Sequence, residues 1–335
     1  MNTQRWSLYV CTLTAAMAWT AFSAAAQSTA DPSAVLSRAR QALGGDAKLS
    51  AIKSFVATGH TRQVRGEMLV PIEFEIACEL PDKYVRRDEI PVQESAPTST
   101  GFNGDGLIQV PPPPPPSPQP AAPARGPGAP GGRAGAPLSP GAARLARVNS
   151  LKQDFAKLTL GMFAASFDGS PLTFTVAGRA ESPQGTADVL DVKGAGGFSM
   201  RLFVSTDTHL PLMVSWTTPA TLANLVMLAP GQPKPATLAP GAIVVEAPAP
   251  PDATASQADK DGYAKAIQDL RARTVASAKP IANYLYYSDY RAAGGGVLFP
   301  FRLRKAIGAD TIEQTDFDGF KLNARIDAKK FEVVK

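Results

Sequence analysis

His60 and His209 are the two histidines of the chain, and Cys11 and Cys78 its two cysteines. A zinc site gathers three or four such ligands at short spacings, so these scattered residues form no metal set, and no cofactor is expected. His209 falls in Thr208-His209-Leu210-Pro211 and reads as a turn residue, while His60 falls in a strand of mixed polarity and reads as a satisfied or exposed side chain. The nucleophile elbow G-x-S-x-G, a phosphate-cradling glycine loop and the helical H-E-x-x-H are all missing from the sequence. Glu73, Glu75 and Glu79 share one strand face. Interacting carboxylates shift one another's pKa, but every second residue of a wetted strand is polar, so these three read as a solvated face. Cys78 has the opposite, apolar parity and reads as a small buried hydrophobe rather than a nucleophile. Tyr284, Tyr286, Tyr287 and Tyr290 form a cross-strand packing set first and a ligand shelf second. No catalytic residue is assigned, and the chain is not expected to be an enzyme.

The clearest element is a meander over 284–331. In its middle run Val297, Phe299, Phe301, Leu303 and Ile307 are apolar, and Pro300, Arg302 and Arg304 occupy the other parity. Side chains leave a strand on alternate faces, so period two marks a sheet with one face buried and one wetted. Further strands follow the same rule: Ile72, Phe74, Ile76, Cys78 and Leu80; Leu172, Phe174 and Val176; Met200, Leu202 and Val204; Leu212, Val214 and Trp216. Asn103-Gly104-Asp105-Gly106 is a hairpin signal. Two helices are expected. One opens at Asp31-Pro32 and stops at Gly44-Gly45; the other carries Leu145, Val148, Leu151, Phe155, Leu158 and Met162 along one face. Tyr263, Ile267 and Leu270 suggest a further short helix.

At the N-terminus, Arg5 precedes an apolar stretch over 6–22 that ends in Ala24-Ala25-Ala26. A charged start, an apolar run and an A-x-A site make residues 1–26 a secretory signal peptide, which places the mature chain, 27–335, in the periplasm. Cys78 is then the sole cysteine, so packing and not a disulfide must hold the fold. A net charge of +5, scattered among acidic residues, gives no argument for nucleic acid. Two stretches, 111–140 and 219–258, are dominated by proline and alanine. Such composition has little to bury and few ladder donors, so both read as disordered insertions in a single domain.

Helix, strands, helix, strands and a closing meander is an α+β order, expected to give a strongly curved antiparallel sheet, an open half-barrel, covered on its inner face by helices. Leu43-Gly44-Gly45-Asp46 before Ile52-Lys53-Ser54-Phe55, the turn from Val204-Ser205-Thr206-Asp207 to Leu210-Pro211, and the close from Asn323-Ala324-Arg325-Ile326-Asp327 to Phe331 together resemble the periplasmic lipoprotein-carrier superfamily (LolA/LolB-like). The resemblance implies a half-barrel with an apolar cavity under a helical lid, and carriage of acyl chains or lipoproteins. No individual binding residue is transferred by it. From the strand parities, Ile72, Phe74, Ile76, Leu172, Phe174, Met200, Leu202, Val214, Trp216, Phe299, Phe301 and Leu303 are expected to line a concavity. They could hold an acyl chain, a lipid or a lipoprotein in a monomer. Helix atoms satisfy an apolar sheet as well as lipid atoms do, so the same residues also fit a filled scaffold whose proline-rich loops contact envelope proteins.

Overall fold

A computed structural model describes residues 31–333 apart from 67, 92, 94, 113–138, 183 and 184. The segment read as a signal peptide and nearly all of the first proline-rich stretch lie outside the described residues.

The strands fall into three meanders. The first comprises β1 (Ser54–Arg65), β2 (Met68–Glu79), β3 (Lys83–Glu89), β4 (Thr98–Asn103) and β5 (Gly106–Val110); the second, β6 (Leu172–Ser182), β7 (Gly185–Gly194), β8 (Ser199–Ser205) and β9 (Pro211–Thr218). Two short strands, β10 (Leu225–Leu228) and β11 (Ile243–Glu246), stand apart as a parallel pair. The third meander is β12 (Ile281–Gly294), β13 (Val297–Ile307) and β14 (Asp310–Leu322). One 12-stranded antiparallel sheet results, in the order β5-β4-β3-β2-β1-β14-β13-β12-β9-β8-β7-β6. The last meander is therefore the middle of the sheet, paired to β1 through β14 and to β9 through β12. β5 and β6 remain as edges, so the sheet is not closed, and with its helices it fits an α+β curved-sheet fold.

Four helices accompany it: α1 (Pro32–Ala42), α2 (Asp46–Ser50), α3 (Pro140–Phe163) and α4 (Gln257–Ser277). The carboxylate of Asp31 caps α1 by accepting from the Ser33 amide at 3.0 Å. The helix ends where Gly44 takes φ 125°, and a Cβ there would come within 2.6 Å of the Gly296 carbonyl oxygen, so glycine is required on both counts. Leu298 N–H then donates to Leu43 O at 2.8 Å, joining α1 to the central meander. Ser139 caps α3 in the same manner, accepting from Ala142 N, and Ala164 ends that helix in the left-handed region at φ 45°.

Buried apolar residues form one large cluster on the face that packs on α1, α2 and α3, called the inner face below. A smaller outer-face cluster joins Ala77, Val85 and Ile108 to Phe331, which arrives on a single turn at Ala328–Phe331.

Three sequence expectations are corrected. The stretch 219–258, read as a disordered insertion, carries β10 and β11, because the apolar run Leu225-Val226-Met227-Leu228 and the β-branched run Ile243-Val244-Val245 are hidden in a proline and alanine background. The short helix expected around Tyr263 runs 21 residues, with none fully buried. Leu145, placed on the apolar face of the second helix, is 51% exposed.

Candidate functional site

Cross-strand partners in an antiparallel sheet share a face, so the pairings sort the inner face into rows. One row reads Leu322, Phe55, Cys78, Tyr84, Phe102 and Leu107 from β14 to β5. On the other side of the centre, Leu285, Val214, Leu202, Leu190 and Val176 run from β12 to β6. Both rows are apolar from end to end.

All twelve residues expected to line a concavity lie on this inner face. Ile72, Phe74, Ile76, Met200, Leu202, Val214, Phe299, Phe301 and Leu303 are buried, whereas Leu172, Phe174 and Trp216 are half-buried around them. Their neighbour is α3. From Phe155 to Phe163 every residue of that helix is buried, so it is enclosed on all sides over its last two turns and more. Phe163 meets Phe299 edge-on at 5.2 Å between ring centroids, and Phe155 lies 5.4 Å from Tyr84 and 5.6 Å from Phe102. The volume beneath the strands, which the sequence reading gave to an acyl chain, is thus where α3 packs.

Polar ties supplement this packing. Tyr287 donates from its hydroxyl to the α3 backbone carbonyl of Lys157, and the Tyr290 hydroxyl is shared between the carbonyls of Gly161 on α3 at 3.0 Å and Pro211 on β9 at 2.8 Å. Burial pushes both phenols well above their usual pKa, which keeps them protonated as donors. Residues three apart on a regular strand face opposite ways, but Asp289 between them adopts φ 57° and turns Tyr290 back to the face of Tyr287. Gly161 sits against the Tyr287 ring, where a Cβ would fall 2.5 Å from a ring carbon. Lys157 is buried, with its Nζ 2.8 Å from Asp154 and 4.3 Å from the Trp216 ring centre.

Other candidates are dispersed. His60 is half-exposed on the outer face, with Nδ1 3.5 Å from Asp318, and His209 occupies its turn at φ 57°. Cys78 is buried, and burial raises its thiol pKa well above the usual value, so the nucleophilic thiolate is disfavoured. Glu79 pairs with Lys83 at 2.9 Å and Glu75 with Lys330. Among the described residues no group of three or more His, Cys, Asp or Glu side chains could hold a metal. A cleft of about 200 Å³ with a mixed lining opens beside α3 between Asp105, Lys152, Gly169, Gly194 and Phe198, and none of the twelve lines it.

Alternation did not mark one group of inner-face residues. Arg86 lies over the Phe74 ring at 4.5 Å, donates from Nε to Asp88 at 2.7 Å and from Nη2 to Thr61 at 3.0 Å; Thr61 and Thr315 bond each other at 2.9 Å. Burial works against the guanidinium charge, but the Asp88 carboxylate, by charge and hydrogen bond, and the nearby Glu313 favour it, and the Arg86 pKa is raised. The available signal is the cross-strand register, which sets Arg86 and Asp88 opposite the apolar Ile76 and Phe74 of β2.

An open 12-stranded antiparallel sheet accompanied by helices fits the class of α+β curved-sheet folds. In comparisons of structure, the chain is similar to a LolA superfamily protein from Nitrosomonas europaea, at 10% identity over 90% of this chain and 98% of that one, with a TM-score of 0.46. It is also similar to a putative outer membrane lipoprotein-sorting protein domain from Vibrio parahaemolyticus (7% identity, 90% and 97% covered, TM-score 0.42). A DUF1329 family protein from Desulfovibrio piger matches over 90% and 98% at 9% identity, TM-score 0.40. No family model and no curated protein matches the sequence.

Proposed function

We propose that the chain is an exported, non-catalytic binding protein of the cell envelope that takes the acyl chain of a lipid or lipoprotein between the inner face and α3. The observation that supports this reading is the continuity of the apolar rows across β14 to β5 and β12 to β6, which the sheet presents to its helices. Magnitudes permit an exchange. Burying about sixteen methylenes is worth on the order of 12 kcal/mol gross at roughly 0.8 each, and releasing Phe155, Leu158, Leu160, Met162 and Phe163 forfeits about 10 kcal/mol at roughly 2 per side chain. Neither term dominates, so the helix can yield to a chain that arrives. Among the described residues no helix is long and apolar enough to cross a membrane, and periplasmic residence rests on the N-terminal pattern of Arg5, the apolar run and Ala24-Ala25-Ala26.

Organic extraction of the purified protein followed by mass spectrometry tests the reading, together with displacement of a bound fluorescent fatty acid. Co-purified amphiphile and stoichiometric displacement are expected. An extract free of amphiphile, with no displacement, would defeat it.

A second reading has its own support. Gly161 fitted against Tyr287 is the packing of a permanent core. On that reading the half-barrel is a filled scaffold and its proline-rich stretches contact envelope partners. Replacing 113–138 with a short Gly/Ser linker separates the two: loss of a captured partner with folding intact favours the scaffold, and retained lipid binding with partners unchanged favours the carrier.

A further inference from the structure

Above the apolar row on Cys78, the inner face changes character on β3, β4 and β5. The next row runs Phe320, Ala57 and Ile76, then Arg86, Thr100 and Gln109; the one beyond runs Phe317, Gly59 and Phe74, then Asp88 and Thr98. Same-face neighbours along a strand are about 6.7 Å apart. A polar quadrant therefore begins one step from the apolar floor, and Arg86 is the cation of these rows.

Its setting is that of a receptor for an oxyanion. The guanidinium lies over the Phe74 ring, with Nε committed to Asp88 and one Nη2 hydrogen to Thr61, while the side chain keeps 21% of its surface exposed. Guanidinium has five N–H donors in a planar fork, and among the described residues Arg86 makes only these two hydrogen bonds. A carboxylate or phosphate can take the remaining fork donors side by side without displacing Asp88.

We propose that Arg86, with Thr61 and Asp88 fixing its plane, is the subsite for the anionic head group of an amphiphile whose chain lies on the apolar rows. This rests on the carrier reading above and narrows its ligand to acids, carboxylic or phosphoric. Displacement of the uncharged probe N-phenyl-1-naphthylamine by dodecanoate, dodecyl phosphate and dodecanol tests it on the full chain. In the wild type both acids displace at least tenfold more tightly than the alcohol, a difference of about 1.4 kcal/mol. Arg86→Gln brings the acids to the alcohol's level and moves the alcohol less than twofold. Asp88→Asn, which keeps an oxygen to accept from Nε but removes the neighbouring negative charge, tightens the acids and again leaves the alcohol unchanged; it carries the test alone if Arg86→Gln does not fold. A preference for one acid over the other separates carboxylate from phosphate ligands within the proposal. Equal displacement by all three compounds, or a loss in Arg86→Gln that falls equally on the alcohol, overturns the subsite and leaves the carrier standing. No displacement by any compound overturns both.

Discussion

Tyr287 ties α3 to the sheet through a hydroxyl group that adds nothing to the apolar packing, and Tyr290 bridges α3 and β9 with its own. Tyr287→Phe keeps the ring against Gly161 and removes only the donor. A hydrogen bond of this kind contributes about 1 kcal/mol net, so the free energy of unfolding measured in urea should fall by about that amount. If α3 gives way to an acyl chain, the same variant should bind a fluorescent fatty acid more tightly, since the cost of release is lowered; unchanged affinity alongside lowered stability would assign the tyrosines to a fixed core. Gly161→Ala forces a carbon into the Tyr287 ring, and overpacking of that sort costs roughly 1–3 kcal/mol. Cys78 supplies a probe of opening: buried, and with its thiol pKa raised by burial, it should resist a thiol reagent in the native state and label only at the rate at which the floor is exposed. Little of this was legible beforehand. The four tyrosines were read as one packing set, but a positive φ at Asp289, which a sequence does not announce for a residue other than glycine, turns Tyr287 and Tyr290 to α3, while Tyr284 and Tyr286 stack on each other at 5.9 Å.

Elements were read well where one face is wet and the other dry. β2 and β13 alternate cleanly for that reason, and the hairpin at Gly104-Asp105 and the cap at Asp31 carry their own local chemistry. α3 was harder. Its amphipathic half is legible, but from Phe155 onward the helix is enclosed all round, so no polar face distinguishes inside from outside. Nor could alternation tell that the closing segment crosses to the outer face, where Phe331 covers Ala77, Val85 and Ile108 and Asn103 Nδ2 donates to the Phe331 carbonyl at 3.1 Å. Phe331→Ala should therefore cost about 3 kcal/mol in urea unfolding despite its place near the end of the chain, and an effect below 1 kcal/mol would show the segment to be dispensable. On the same outer face Asp316 is partly buried, which raises its pKa, yet hydrogen bonds from Gln314, Arg302 and Arg62 more than offset this and leave it below the ordinary 3.8. A lowered carboxyl stabilises the fold above its unfolded value and loses that contribution as pH falls through the folded one. Denaturation midpoints measured downward from pH 6 should drop below pH 4 in the wild type and less steeply in Asp316→Asn.

At the scale of the whole molecule, strand content and α+β class follow from patterning, but strand order does not, because any strand with one apolar face can pair with any other. The order found is consequential. The first and second meanders never touch edge to edge; β14 and β12 stand between β1 and β9, and contacts such as Lys53 N–H to the Asn323 side chain close over 270 residues. Loop closure over such separations must be met before pairing rewards it, so folding belongs in the slow, millisecond-to-second range of sheet proteins rich in non-local contacts. Neither flanking meander can complete its inner face without the last three strands. A chain stopped after Ser277 should consequently leave β1 and β9 as unpaired apolar edges, bind a hydrophobic dye, and melt without a cooperative transition. A chain stopped after Asn323 loses the Phe331 cover, the Lys330–Glu75 pair and the bond from Ser54 Oγ to the Ala324 carbonyl, but keeps all twelve strands and should still unfold cooperatively at a lower midpoint. Circular dichroism melts of the two truncations decide the matter: a sharp transition in the shorter chain would mean that the flanking meanders are self-sufficient, and that the central one joins them without being what makes them a single inner face.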